Sequence, residues 1–235
     1  FLSSVAGAPA LQQVGPGTAM FVTEDVDGTN RLVLRFPQGK GVEVRNATSV
    51  VPADRYTIAI KMRFDDTSGY RRIVNFVLRA ANADRGLYDL AGDLTLSPIG
   101  FGSGSPIDPD EWVNVVLTRS ASGRIRGYVD GVQEFDVTNP NDARIGAAGI
   151  LRFFRDNADR QESSGAVSRI RLSLLVRFSI ADCRLRLLVS SVFFSNAPSR
   201  PRITATSSIA VPRIWLAFWN APLFRSFEPP ERRLE

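Results

Sequence analysis

The sequence predicts an all-β protein, two antiparallel sheets packed face to face, on three observations. Between Gly17 and Leu172, apolar and polar residues alternate with period two. The alternating runs are short and are separated by glycine-bearing turns. No stretch there sustains the 3.6-residue period of an amphipathic helix. With 235 residues, 44% of them hydrophobic, the chain is long enough to bury a substantial core. No repeat of 20–50 residues points to a propeller or a solenoid.

In chain order, the first strands are expected at 19–24, 31–36 and 41–45. The clearest alternation follows: Tyr56, Ile58, Ile60, Met62 and Phe64 on one face, with Thr57, Ala59, Lys61 and Arg63 on the other. β-Branched and aromatic residues on one face suit a half-buried strand. Further strands are expected at 71–79 and 93–97. From Glu111 to Val137 the chain reads as a three-stranded meander: Trp112–Thr118, a turn at Ala121-Ser122-Gly123, Arg124–Val129, a turn at Asp130-Gly131, and Val132–Val137. Asp-Gly suits a type I′ turn, whose two central residues both need positive φ. Trp112 is read as a core residue. Strands at 150–155 and 166–172 complete the set.

Charge divides the chain in two. Lys+Arg total 29 and Asp+Glu 24, a net charge of +5. Residues 1–172 hold 20 basic and 20 acidic residues with the signs interspersed, so the whole excess lies in 173–235, which also contains none of the 18 glycines. An interspersed neutral surface is not a phosphate-tracking groove, and no nucleic-acid partner is expected. The dominance of arginine, 27 against two lysines, reads as a codon-composition effect. No transmembrane helix is expected: 172–194 is interrupted by Arg177, Asp182, Arg184 and Arg186, and the apolar patch at 214–224 is too short to span.

Several runs carry a family resemblance. They are Gly69-Tyr70-Arg71-Arg72-Ile73-Val74-Asn75-Phe76, Gly86-Leu87-Tyr88-Asp89-Leu90, Glu111-Trp112-Val113 leading to Leu117-Thr118-Arg119, and Gly127-Tyr128-Val129-Asp130-Gly131-Val132. Leu151-Arg152-Phe153-Phe154-Arg155-Asp156 and Ser164–Leu172 continue the order. Together they resemble the laminin-G-like jelly-roll family with the concanavalin A-like fold, over 18–172, and most closely its bacterial exported branch. The resemblance implies a two-sheet antiparallel jelly-roll sandwich followed by an atypical C-terminal tail. It also implies a secreted or cell-surface location.

The organisation expected is therefore 1–17 as an N-terminal leader, 18–172 as the domain, and 173–235 as an unassigned tail. Phe1–Ala10 contains two A-x-A patterns and reads either as a signal-peptide remnant or as an ordinary terminus. In the family, the last strand is followed by Tyr-Asp and a short helix. Here Ser173-Leu174-Leu175-Val176-Arg177 follows instead. The tail reads as an out-of-frame continuation, the rival being a membrane- or partner-binding extension built on Trp215, Phe218 and Trp219.

The chemistry within reach is narrow. Histidine is absent and Cys183 is the one cysteine, which excludes histidine-based catalysis, internal disulfides and Cys-cluster metal sites. A glycosidase needs two carboxylates spaced on one strand. Neither Glu24-Asp25-Val26-Asp27 nor Asp108-Pro109-Asp110-Glu111 has that spacing, and both read as loops. No catalytic residue is assigned. The resemblance implies a calcium site at one rim, with Asp89 and Asp156 or Asp159 as placement candidates; oxygen ligands suit that ion. For ligand binding the candidates are Tyr70, Arg72, Tyr88, Arg155 and Asn157, since sugar faces stack on aromatic rings and sugar hydroxyls pair with polar groups. The expected function is a non-catalytic exported module binding carbohydrate or another cell-surface ligand. The alternatives are a structural or adhesion domain and, behind it, a glycoside hydrolase.

Overall fold

The computed structural model describes residues 9–76, 85–104, 107–156 and 162–174. Among these, β1 (Leu11–Val14), β2 (Met20–Val26), β3 (Thr29–Phe36) and β4 (Gly41–Val44) precede one turn of 3-10 helix (Ala47–Ser49). Then follow β5 (Tyr56–Phe64), β6 (Tyr70–Asn75), β7 (Gly86–Leu90), β8 (Asp93–Ser97) and β9 (Gly100–Phe101). The meander is β10 (Val113–Arg119), β11 (Arg124–Val129) and β12 (Val132–Thr138), and β13 (Leu151–Phe153) and β14 (Gly165–Ser173) complete the order. The first sheet runs β1-β4-β13-β6-β7-β8-β9 and the second β12-β11-β10-β5-β14-β3-β2, antiparallel throughout. This is the two-sheet jelly-roll sandwich that the sequence predicts.

β5 lies at the centre of the second sheet, and its predicted apolar face is the middle of the core. Tyr56, Ile58, Ile60, Met62 and Phe64 are all buried, packed with Leu34, Phe36, Val115, Leu117, Val167, Ile170 and Leu172 of the same sheet. The first sheet answers with Val42, Val44, Ile73, Val74, Leu87, Leu94, Leu96, Leu151 and Phe153. Period-two strands can bury a complete face in this way only if register holds, because a one-residue slip would expose it. The Asp130-Gly131 turn helps to set that register: φ is 46° and 87° at the two residues. Asp130 Oδ1 also accepts from the Asn114 N–H at 2.8 Å and its side-chain amide at 2.9 Å.

One buried cation ties loops to the core. Arg119, at the end of β10, is 1% exposed. It donates to the carbonyls of Asp142 (2.9 Å), Pro140 (2.7 Å), Ser120 (3.1 Å) and Asp54. Burial lowers its pKa. The neighbouring Tyr56 hydroxyl donates to the Ala143 carbonyl, and burial raises the pKa of that phenol well above its ordinary value.

Three departures from the expected elements have physical reasons. β1, inside the segment read as a leader, is an edge strand on β4, with Leu11 buried. β1 and β9, of four and two residues, are too short to show a period. β7 is longer, yet its Leu-Tyr-Asp-Leu run shows little polar alternation because both of its faces are buried. Trp112 is corrected from the main core: it is half-buried on the outer face of the second sheet, packed on Val26, Val33 and Ala166. There the Arg63 guanidinium lies 5.9 Å from its ring centroid. The strand expected at 71–79 is β6, with 77–79 outside the described residues, as are Asn157, Asp159 and the tail beyond Leu174.

Candidate ligand-binding face

The outward face of the first sheet is built from two cross-strand rows. In the first, backbone pairing aligns Gln12, Glu43, Arg152 and Asn75 across β1, β4, β13 and β6. In the second, it aligns Arg72, Tyr88, Thr95 and Phe101 across β6, β7, β8 and β9. Cross-strand partners share a face, and these alternate with core residues such as Val42, Val44, Leu87 and Leu94. The rows are therefore the face that the core leaves over.

Glu43 is buried and takes three guanidinium bonds: Arg45 Nε at 2.6 Å, Arg152 Nε at 3.2 Å and Arg152 Nη2 at 3.0 Å. Arg72, 1% exposed, forms an ion pair with Asp156, also buried. The Arg72 guanidinium lies 3.9 Å from the centroid of the Tyr88 ring. Tyr70 then stands edge-on to Tyr88, centroids 5.4 Å apart at 84°. That stack of guanidinium, phenol and phenol uses the attraction of a cation for a ring face and the edge-to-face preference of aromatic pairs. Gly86 makes room for it: a Cβ there would run into the Arg72 guanidinium and lie 2.6 Å from the Val74 carbonyl.

At the β9 end of the second row, and two residues along β6 from its Arg72 end, aromatic rings reach the surface. Tyr70 is 38% exposed and Phe101 59%. Three strand spacings separate β6 from β9, about 14 Å. Between them Tyr88 and Thr95 form a buried floor, and the Thr95 hydroxyl has no hydrogen-bond partner among the described residues.

Of the residues singled out in the sequence, Tyr70, Arg72 and Tyr88 come together as one stack. Arg155 is placed elsewhere: its Nη1 donates to the Gly39 carbonyl at 2.7 Å, beside Gly15. Asp89 and Asp156 do not converge. Asp156 is committed to Arg72, and its backbone N–H donates to Glu162 Oε1 at 3.2 Å. Asp89 has the strand parity of Leu87, pointing inward, fully buried, with Oδ1 accepting from the Gly92 N–H at 2.7 Å. Its pKa is pushed up to about 7, chiefly by burial; the Gly92 N–H and the charge of Arg71 pull it down, while Asp66 and Asp93 push it up. No group of three acidic side chains suited to a metal occurs among the described residues, and Asp159 lies outside them. Glu43, Arg152, Asn75 and Thr95 are not singled out by the sequence. The available signal was a single polar residue between apolar ones, as in Val42-Glu43-Val44 and Leu151-Arg152-Phe153.

Comparison with known proteins places this architecture. Domain 4 of an extracellular GH43 arabinanase from Geobacillus stearothermophilus, solved with arabinotriose, matches with a TM-score of 0.53 at 13% identity, over 72% of this chain and 84% of that one. The binding domain of botulinum neurotoxin serotype D matches at 0.49 and 11% identity, over 73% of this chain and 45% of that one, so this chain spans under half of its length. A carbohydrate esterase of the Shiga toxin-encoding bacteriophage phi24B matches at 0.46 and 14% identity, over 69% of this chain and 88% of that one. At these identities the likeness is one of fold. No curated protein matches the sequence significantly. A laminin-G-type family model does match, over residues 36–174, more than half of the chain. On that match and the two-sheet architecture, the chain belongs to the Concanavalin A-like lectin/glucanases superfamily.

Proposed function

We propose that this protein is a non-catalytic, exported binding module whose ligand is carbohydrate, held on the outer face of the first sheet. One observation carries the reading: two exposed aromatic rings, Tyr70 and Phe101, flank a row of polar and aromatic side chains held rigid from beneath. Aromatic faces stack against the apolar faces of sugars, and side chains fixed by packing lose little entropy on binding. Arg72 and Tyr88 are too deeply buried to touch a ligand in this conformation; they position Tyr70. Arg152 supplies a part-exposed guanidinium at the far side. The arabinotriose-bound neighbour supports a carbohydrate over other ligands. Neither acidic run of the sequence has the carboxylate spacing of a glycoside hydrolase, which favours binding without turnover.

A glycan array run on the full chain with and without calcium tests this, followed by titration of any hit against Tyr70→Ala and Phe101→Ala. Each substitution should weaken binding about tenfold, the scale of one lost stacking contact. Failure of every glycan to bind, or binding that survives the double substitution, would refute it. The buried pairs Glu43–Arg152 and Arg72–Asp156 favour a second reading, a structural or adhesion domain, which would then stand.

A further inference from the structure

We propose a second ligand site, on the outer face of the opposite sheet, that takes an oxyanion: the carboxylate or sulfate of a small polar molecule. It is independent of the carbohydrate face. A pocket of about 380 Å³ lies there, lined by Val26, Asp27, Arg31, Lys61, Asn114 and Arg169, with Leu32 and Ser168 at its sides. That volume is at the lower end of small-molecule sites.

The fold builds this pocket from three strands and a hairpin. Backbone pairing sets Asn114, Lys61 and Arg169 side by side across β10, β5 and β14. All three oppose the core parity of Val115, Ile60 and Ile170. A bulge between Val167 and Arg169 inserts Ser168, so that two consecutive residues of β14 line the pocket. Bulges re-aim side chains in this way. The wall comes from the β2–β3 hairpin, whose Asp27-Gly28 turn has φ of 54° and 76°.

Charge then selects the ligand. Three cations, Arg31, Lys61 and Arg169, face one carboxylate, Asp27. Lys61 spends two of its three N–H bonds, on Asp27 at 2.8 Å and the Trp112 carbonyl at 3.2 Å. Arg169 and Arg31 form no ion pair among the described residues. Like charges at directly paired positions repel, and here Lys61 sits opposite Arg169. An excess of two positive charges in a concave site, within a region whose net charge is zero, is what a bound anion would relieve. A guanidinium presents a fork that fits two oxygens of one carboxylate or sulfate, with the Lys61 ammonium as a point charge beside it.

Isothermal titration of the full chain at low ionic strength tests the site, with sodium sulfate, glucuronate, an O-sulfated monosaccharide and neutral glucose. At least one class of anion should bind, glucose should not, and affinity should fall with added salt. The arm that binds more tightly, sulfated or carboxylated, names the source. Arg169→Ala should weaken binding at least tenfold, from the loss of one charge-assisted hydrogen bond. Arg169→Lys should restore only part of it, and Arg31→Ala should weaken it independently. Arg124→Ala, which removes the same charge from the start of β11, beside the end of β10 opposite to Asn114, should change nothing. The proposal is overturned if no anion binds, if glucose binds equally, or if Arg124→Ala weakens binding as much as Arg169→Ala. Persistence of binding to Tyr70→Ala at full strength separates this site from the carbohydrate face.

Discussion

Replacing Asp89 by Asn should make the protein more stable at pH 8 and erase most of its pH dependence between pH 5 and 7. Asp89 is fully buried, and its Oδ2 has no hydrogen-bond partner among the described residues. Its carboxyl titrates at about 7 in the folded state against an ordinary value of 3.8. Folding therefore favours the protonated form. Below pH 4 the two states bind the proton equally. As pH rises from about 4 to 7 the unfolded chain has lost its proton while the folded chain keeps it, so stability falls; above 7 the loss is complete. Each pH unit between those two titrations is worth about 1.36 kcal/mol, so the folded state gives up about 4 kcal/mol across the window. Asn keeps the acceptor for the Gly92 N–H and carries no charge, so the variant escapes the loss. The chain has no histidine, and the pKa values of Asp66 and Asp136 are lowered, by the Ser68 N–H and by Arg124 respectively, so both move away from this window. Urea unfolding at half-unit steps from pH 5 to 8 reads the effect. Wild type should lose about 1.4 kcal/mol per pH unit up to pH 7 and then level off, while Asp89→Asn stays flat. A wild-type profile that is flat, or one that rises with pH, would refute the argument from burial.

Three further substitutions test other links. Arg119→Met removes a guanidinium serving four carbonyls and should cost about 3–5 kcal/mol, read as a drop in the denaturation midpoint; a change under about 1 kcal/mol would mean water replaces the cation freely. Gly86→Ala should displace Arg72 from Tyr88, lowering stability by about 1–3 kcal/mol and weakening sugar binding while leaving anion binding at Arg169 intact. Gly131→Ala, at φ 87° with open space around it, should cost about 1 kcal/mol through backbone strain alone, measured by thermal unfolding.

The architecture was readable because the chain writes it locally. Tyr56–Phe64 alternates so cleanly that its inward face could be named residue by residue, and all five inward residues are buried in the core. The Asp130-Gly131 turn was equally legible, since positive φ at both positions admits few residue types. Trp112 was not, because a large apolar side chain at a strand's start does not reveal which face it takes. Nor were Glu43 and Arg152: each is a lone polar residue in a short strand, and their ion pair joins positions 109 apart in the chain.

The sequence by itself determined the all-β class, the order of the longer strands, the neutrality of residues 1–172 and the absence of histidine and of internal disulfides. These follow from composition and from the two-residue period, which are local properties of a chain. Only the tertiary structure decided which side chains meet. It stacked Arg72, Tyr88 and Tyr70, sent Asp89 inward and Asp156 to Arg72, and set Lys61 beside Arg169 through a bulge. Those outcomes depend on strand pairing across long stretches of chain, where the register of one backbone against another, and not the identity of a residue, determines its neighbours.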